Sequence, residues 1–75
     1  MEKFIIFIKG KDIVPIRLDD ADFGGIAQSL IKQDFLISPI QVMAGNSLLA
    51  TNKYKRALTM YISLQLKELT SPILI

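Results

Sequence analysis

The chain opens on Phe4-Ile5-Ile6-Phe7-Ile8, a run that is apolar at every position and bracketed by Lys3 and Lys9. A strand with no polar face to turn to water belongs in the middle of a sheet, covered on both sides. Residues 13–18, Ile-Val-Pro-Ile-Arg-Leu, form a second β-type run. Lys9-Gly10-Lys11-Asp12 lies between them as a turn, so the first two elements predict a hairpin. Pro15 has no N–H to give to a ladder, which puts the second strand at a sheet edge or gives it a bulge.

After Asp19-Asp20-Ala21-Asp22, the positions Phe23, Ile26, Ala27, Leu30 and Ile31 repeat as one face of a helix. That spacing predicts a helix over 21–33, with Gln28, Ser29 and Lys32 on the wet side. Gly24-Gly25 weakens it by about 1 kcal/mol per glycine relative to alanine. Either another backbone approaches closely at the pair or the first turn is irregular. Residues 34–39 return the chain. Ile40–Ala44 and Ser47–Ala50 then flank Gly45-Asn46, which reads as a second hairpin. The competing reading has Ser47 cap a helix running from Leu48 onward.

From Thr51 or Asn52, either a good N-cap, the positions Tyr54, Ala57, Leu58, Tyr61, Ile62, Leu66 and Leu69 predict a helix to about residue 69. Thr70-Ser71-Pro72 ends it. Ile73-Leu74-Ile75 is too apolar to be left in water and is expected to dock as a short strand or against a neighbour. The expected fold is a small two-layer α+β domain of order ββαββα with a short C-terminal strand. Its sheet should be mainly antiparallel, with helices on one face.

Length fits this outline: 75 residues make one domain, 1–75, with one core. Composition sharpens it. Hydrophobic residues reach 51%, and mean hydropathy is +0.39. A domain this small has too much surface for its volume to hide all of that, so self-association or a protein partner is expected. The apolar runs are far short of the roughly 18 residues a spanning helix needs, so no membrane role is expected. Glu2 and the short apolar run do not fit a signal peptide, which points to a cytoplasmic chain. There is no Cys and no His. Those absences remove the usual zinc ligands, the commonest general base and the commonest activated nucleophile.

Three surfaces could still carry chemistry. Asp19, Asp20 and Asp22, with Asp12 nearby, offer oxygen ligands for a hard cation, but Asp residues before a helix serve more simply as caps and dipole partners. Their spacing does not fit the EF-hand pattern, so no metal site is assigned. Lys53, Lys55 and Arg56 fall in the first turn of the expected last helix, where the dipole disfavours cations. A phosphate or nucleic-acid backbone would offset that cost, and Tyr54 among them could stack on a base. The same tyrosine also falls on the apolar stripe.

The third surface is a second apolar side of the last helix. At 100° per residue, Met60 and Leu64 fall away from the stripe centred on Leu58, on the side of Lys53, Arg56 and Lys67. Met suits adaptable contacts. No phosphate-binding glycine motif and no nucleophile–base pattern occurs, so neither cofactor nor enzymatic activity is expected.

The sequence therefore reads as a non-enzymatic module, self-associating or partner-binding. Its expected interface is Met60, Leu64, Lys67, Ile73, Leu74 and Ile75, or an exposed sheet edge, with a homodimer as the simplest closed form. The alternative is a nucleic-acid or anion-binding module using Lys53, Tyr54, Lys55 and Arg56.

Overall fold

A computed structural model describes the backbone of residues 1–62 and 73–75 and the side chains of 1–59 and 73–75. Among the described residues seven elements follow one another: β1 (Glu2–Lys9), β2 (Asp12–Arg17), α1 (Phe23–Lys32), β3 (Leu36–Ile37), β4 (Ile40–Ala44), α2 (Ser47–Ile62) and β5 (Ile73–Leu74). The chain is a small α+β domain with a mixed, mostly antiparallel sheet and two helices, in the expected order ββαββα with a short final strand. Strands run β2-β1-β4-β5, and β3 pairs with β1 on the β4 side. Among the described residues all pairings are antiparallel except β4 with β5.

β1 is central, as its apolar run requires. Residues alternate across a strand, so Phe4, Ile6 and Ile8 share one face and Ile5 and Phe7 the other. Phe4 and Ile6 join Ile40, Val42, Ala44, Ala50 and Tyr54 in one buried cluster. Ala50, Tyr54 and Leu58, four residues apart, are the side of α2 turned to that cluster. Ile5 and Phe7 are also buried, and the Phe7 ring meets Phe23 of α1 at a centroid distance of 6.3 Å. α1 thus serves the second face of β1. The helices are divided between the faces rather than sharing one, because a strand apolar on both sides needs cover on both.

The first hairpin forms as predicted, with Lys9 opposite Asp12 across the two-residue loop Gly10-Lys11. Gly10 takes the positive φ, 58°, that the first position of a II′ turn demands. α1 starts at Phe23, two residues later than expected. No described residue comes within 4 Å of where Cβ atoms of Gly24 or Gly25 would stand, so close packing among the described residues does not explain that pair. The entry is stabilised by Asp20, whose Oδ1 accepts from the Asp22 N–H at 2.8 Å, while Asp22 makes no side-chain cap bond. At the other end Asp34 sits at φ 69°. Phe35 N–H donates to Leu30 C=O and Asp34 N–H to Ile31 C=O, the paired bonds of a Schellman stop.

The second hairpin is a correction. Ser47–Ala50 is helical, and the strand before β4 is instead Leu36–Ile37, within the stretch expected only to return the chain. Leu48, Leu49 and Ala50 are not β-branched and lose little in a helix. Asn46, expected in a turn, is the N-cap: its Oδ1 accepts from Leu49 N–H at 2.9 Å, and its C=O accepts from Ala50 N–H. Asn46→Ala should therefore destabilise the fold by about 1 kcal/mol, and Ser47→Ala by much less. Urea denaturation separates the two; equal losses would reject Asn46 as the cap.

β3 and β4 act as one strand broken by a bulge. From Phe4 to Phe7 β1 advances three residues, while its partner takes five, from Val42 back to Ile37. The surplus is taken up at Ser38-Pro39. Ser38 N–H donates to Ile6 C=O at 2.8 Å, and Ser38 Oγ accepts from Ile40 N–H at 3.1 Å, which satisfies a donor the bulge would otherwise strand. The Tyr54 hydroxyl donates to the same Oγ at 3.0 Å, tying α2 to the bulge.

Candidate interaction surface

The residues expected to bind anions are where the longer α2 rearranges the picture. Because the helix starts at Ser47, Lys53, Lys55 and Arg56 lie in its second and third turns, away from the N-terminal N–H groups that favour anions. Tyr54 is 1% exposed with its hydroxyl bonded to Ser38, so it cannot stack on a base. Lys53 is half-buried, and its Nζ donates to Met43 C=O at 3.0 Å. Lys55 and Arg56 remain exposed neighbours. An open cleft of about 310 Å³ does lie beside the start of α2, lined by Pro15, Arg17, Ile26 and Ser47 among others. The cation lining it, Arg17, is already engaged.

Arg17 Nε and Nη2 reach the two carboxylate oxygens of Asp19 at 3.1 and 3.4 Å, and Nη2 stands 3.7 Å from Glu2. Hydrogen bonding from the guanidinium holds the Asp19 carboxyl below the usual range, and the same pairing raises Arg17. The pair is at the surface and solvent-screened. Asp19 is held by Arg17 and Asp20 stabilises the entry to α1, so these two carboxylates serve the local fold. Among the described residues no three acidic side chains form a cation-binding group.

Of the expected interface, the Met60 side chain, Leu64 and Lys67 lie outside the described residues. The terminal triplet is divided by strand alternation. Ile73 and Ile75 turn in against the core cluster, while Leu74 is 53% exposed. Exposed apolar residues also occur at Leu36 and Ile37 of β3, and at Leu48 and Leu49 in the first turn of α2. No helix of the described residues is long and apolar enough to cross a membrane.

Backbone polarity shows how the sheet ends. In a strand, N–H and C=O of one residue point to the same side, and those of its neighbours to the other. Leu18 N–H donates to Lys3 C=O, so the odd residues of β1 face β2 and the even residues of β2 face back. Ile13, Pro15 and Arg17 therefore present their backbone groups outward, with Pro15 in the middle of the row. Its missing N–H costs the sheet nothing, as the sequence predicts for an edge strand.

At the other side, Pro39 C=O accepts from Ile73 N–H and Gln41 C=O from Ile75 N–H, each at 2.8 Å. The next outward carbonyl in that row is Met43, and its donor is Lys53 Nζ. The ammonium thus stands where a further strand residue would donate. On β5 itself the outward N–H and C=O belong to Leu74, between two residues that face β4.

Comparison with protein-family models, curated proteins and solved structures returns no match for this chain.

Proposed function

We propose that this chain is a non-enzymatic assembly module that pairs with a second copy of itself along β5, centred on Leu74. The observation carrying this reading is that Leu74, in the last strand of the described sheet, directs its N–H and C=O away from β4 and carries a half-exposed apolar side chain. A two-fold axis through Leu74 lets two antiparallel copies exchange both backbone bonds, and it sets the two Leu74 side chains opposite each other on one face. The high apolar fraction supports the same reading. Among the described residues several groups that might do chemistry are committed elsewhere: Tyr54 and Ser38 to each other, Lys53 to Met43, Asp19 to Arg17. The cytoplasmic placement belongs to this reading and comes from the sequence alone.

The contact is small, and the expected dimer is correspondingly weak. Leu74→Lys should weaken it about tenfold, since it loses the apolar pair and sets like charges opposite each other. Thermal stability of the protomer should change little, because the side chain is half in water already. Sedimentation equilibrium across a concentration series measures both species. A wild-type chain that stays monomeric at high micromolar concentration sinks the proposal.

A further inference from the structure

We infer that Pro15 and Lys53 are edge guards, which block strand addition along β2 and at Met43 of β4 and so favour a closed pair at Leu74. This deepens the proposed self-association by naming the residues that limit it. A sheet in a small apolar domain has two flanks on which a further strand can add, and open flanks lead to indefinite growth. Here each flank carries a different block.

On the β2 flank the outward row is Ile13, Pro15, Arg17. An incoming strand needs the donor at the centre of that row to keep its ladder continuous, and proline has none. The pyrrolidine costs nothing internally, since Pro15 stands opposite Ile6 at a position that makes no β1–β2 backbone bond. Val14 and Ile16, which turn inward and must donate to β1, are not proline.

On the β4 flank, β5 covers Pro39 and Gln41, and the ladder would continue at Met43. Lys53 closes that position at 3.0 Å from α2, ten residues along the chain. A lysine is suited to the task. Its flexible stem reaches from the helix to the strand, and a strand arriving at Met43 would have to displace and desolvate a charge. Lys55, two residues on, points to solvent and makes no such bond among the described residues.

Each block is removed by one substitution. Pro15→Val restores a donor with a residue that favours strands. Lys53→Met keeps the stem and deletes the ammonium, freeing Met43. Lys55→Met makes the same change of charge and hydrophobicity at an exposed site, and serves as the control. Light scattering coupled to size exclusion, at matched concentrations, reads mass. Circular dichroism confirms that each variant has folded.

Pro15→Val and Lys53→Met are expected to give a weight-average mass roughly twofold or more above wild type, rising with concentration, while Lys55→Met matches wild type. Variants that keep the wild-type mass overturn the assignment of guards. So does an equal rise in Lys55→Met, which would make the effect one of net charge. The outcome is separate from that of the Leu74 pairing: a monomeric wild type with growing Pro15→Val and Lys53→Met assemblies removes the dimer and leaves the guards.

Discussion

Tyr54→Ala is expected to cost about 3–5 kcal/mol, the range for emptying a buried aromatic site. Among the described residues Tyr54 is the largest fully buried side chain, and it touches solvent over 1% of its surface. It fills the space between α2 and the Phe4, Ile6, Ile40 and Val42 side of the sheet. A chain of this length has roughly 4–11 kcal/mol of total stability, so the substitution removes a large share of it. Tyr54→Phe keeps the ring and deletes the hydroxyl that donates to Ser38, and about 1 kcal/mol is expected. Ser38 Oγ still accepts from Ile40 N–H in that variant, so the bulge keeps its own bond. Urea unfolding of both variants gives the ratio. A Tyr54→Phe loss as large as that of Tyr54→Ala would mean that the bulge hangs on the hydroxyl and that packing is secondary.

The same residue illustrates what the sequence could and could not say. Period-3.6 spacing placed Tyr54 on the apolar stripe, while its cationic neighbours suggested a stacking surface; burial decides for the stripe. The cations looked like a first turn because Thr51 and Asn52 are acceptable caps. A better-placed cap, Asn46, was hidden in a Gly-Asn pair that also spells a hairpin turn. Leu48 and Leu49 extended the illusion of a strand, since two adjacent leucines show no period of their own. β3 was missed because two residues cannot display alternation. The hairpin of β1 and β2 was legible from two β-type runs around a turn, the edge position of Pro15 from its missing N–H, and the docking of residues 73–75, as a strand or against a neighbour, from three aliphatics too apolar to leave in water. Lys53 as a donor to Met43 was not. Its meaning depends on which carbonyls of β4 point outward, and that parity is set by the pairing of β4 to β1, with Val42 opposite Phe4; the two-residue surplus at Ser38-Pro39 leaves it unchanged.

Parity also bears on how much of the molecule is core, and Phe7 tests this. Phe7→Ala is expected to cost about 3–5 kcal/mol, comparable to a loss on the Tyr54 side, because Phe7 is fully buried although it lies on the opposite face of β1. Its tilted contact with Phe23, at 6.3 Å and 50°, falls within the favourable range for aromatic pairs. Phe23→Ala should cost less, about 1–2 kcal/mol, since that ring is half-buried. A double-mutant cycle should then return a coupling of about 0.5–1.5 kcal/mol. No residue of α1 is fully buried, so the helix is held through partial contacts, of which Phe23 against Phe7 is the aromatic one. Removing Phe7 should therefore loosen α1 ahead of the sheet. Amide hydrogen exchange over Phe23–Lys32 should accelerate in Phe7→Ala more than exchange over β1 and β4. Additive losses with no coupling, or uniform acceleration across the domain, would show that α1 is not anchored by this pair. The second face of β1 would then owe its burial to other segments.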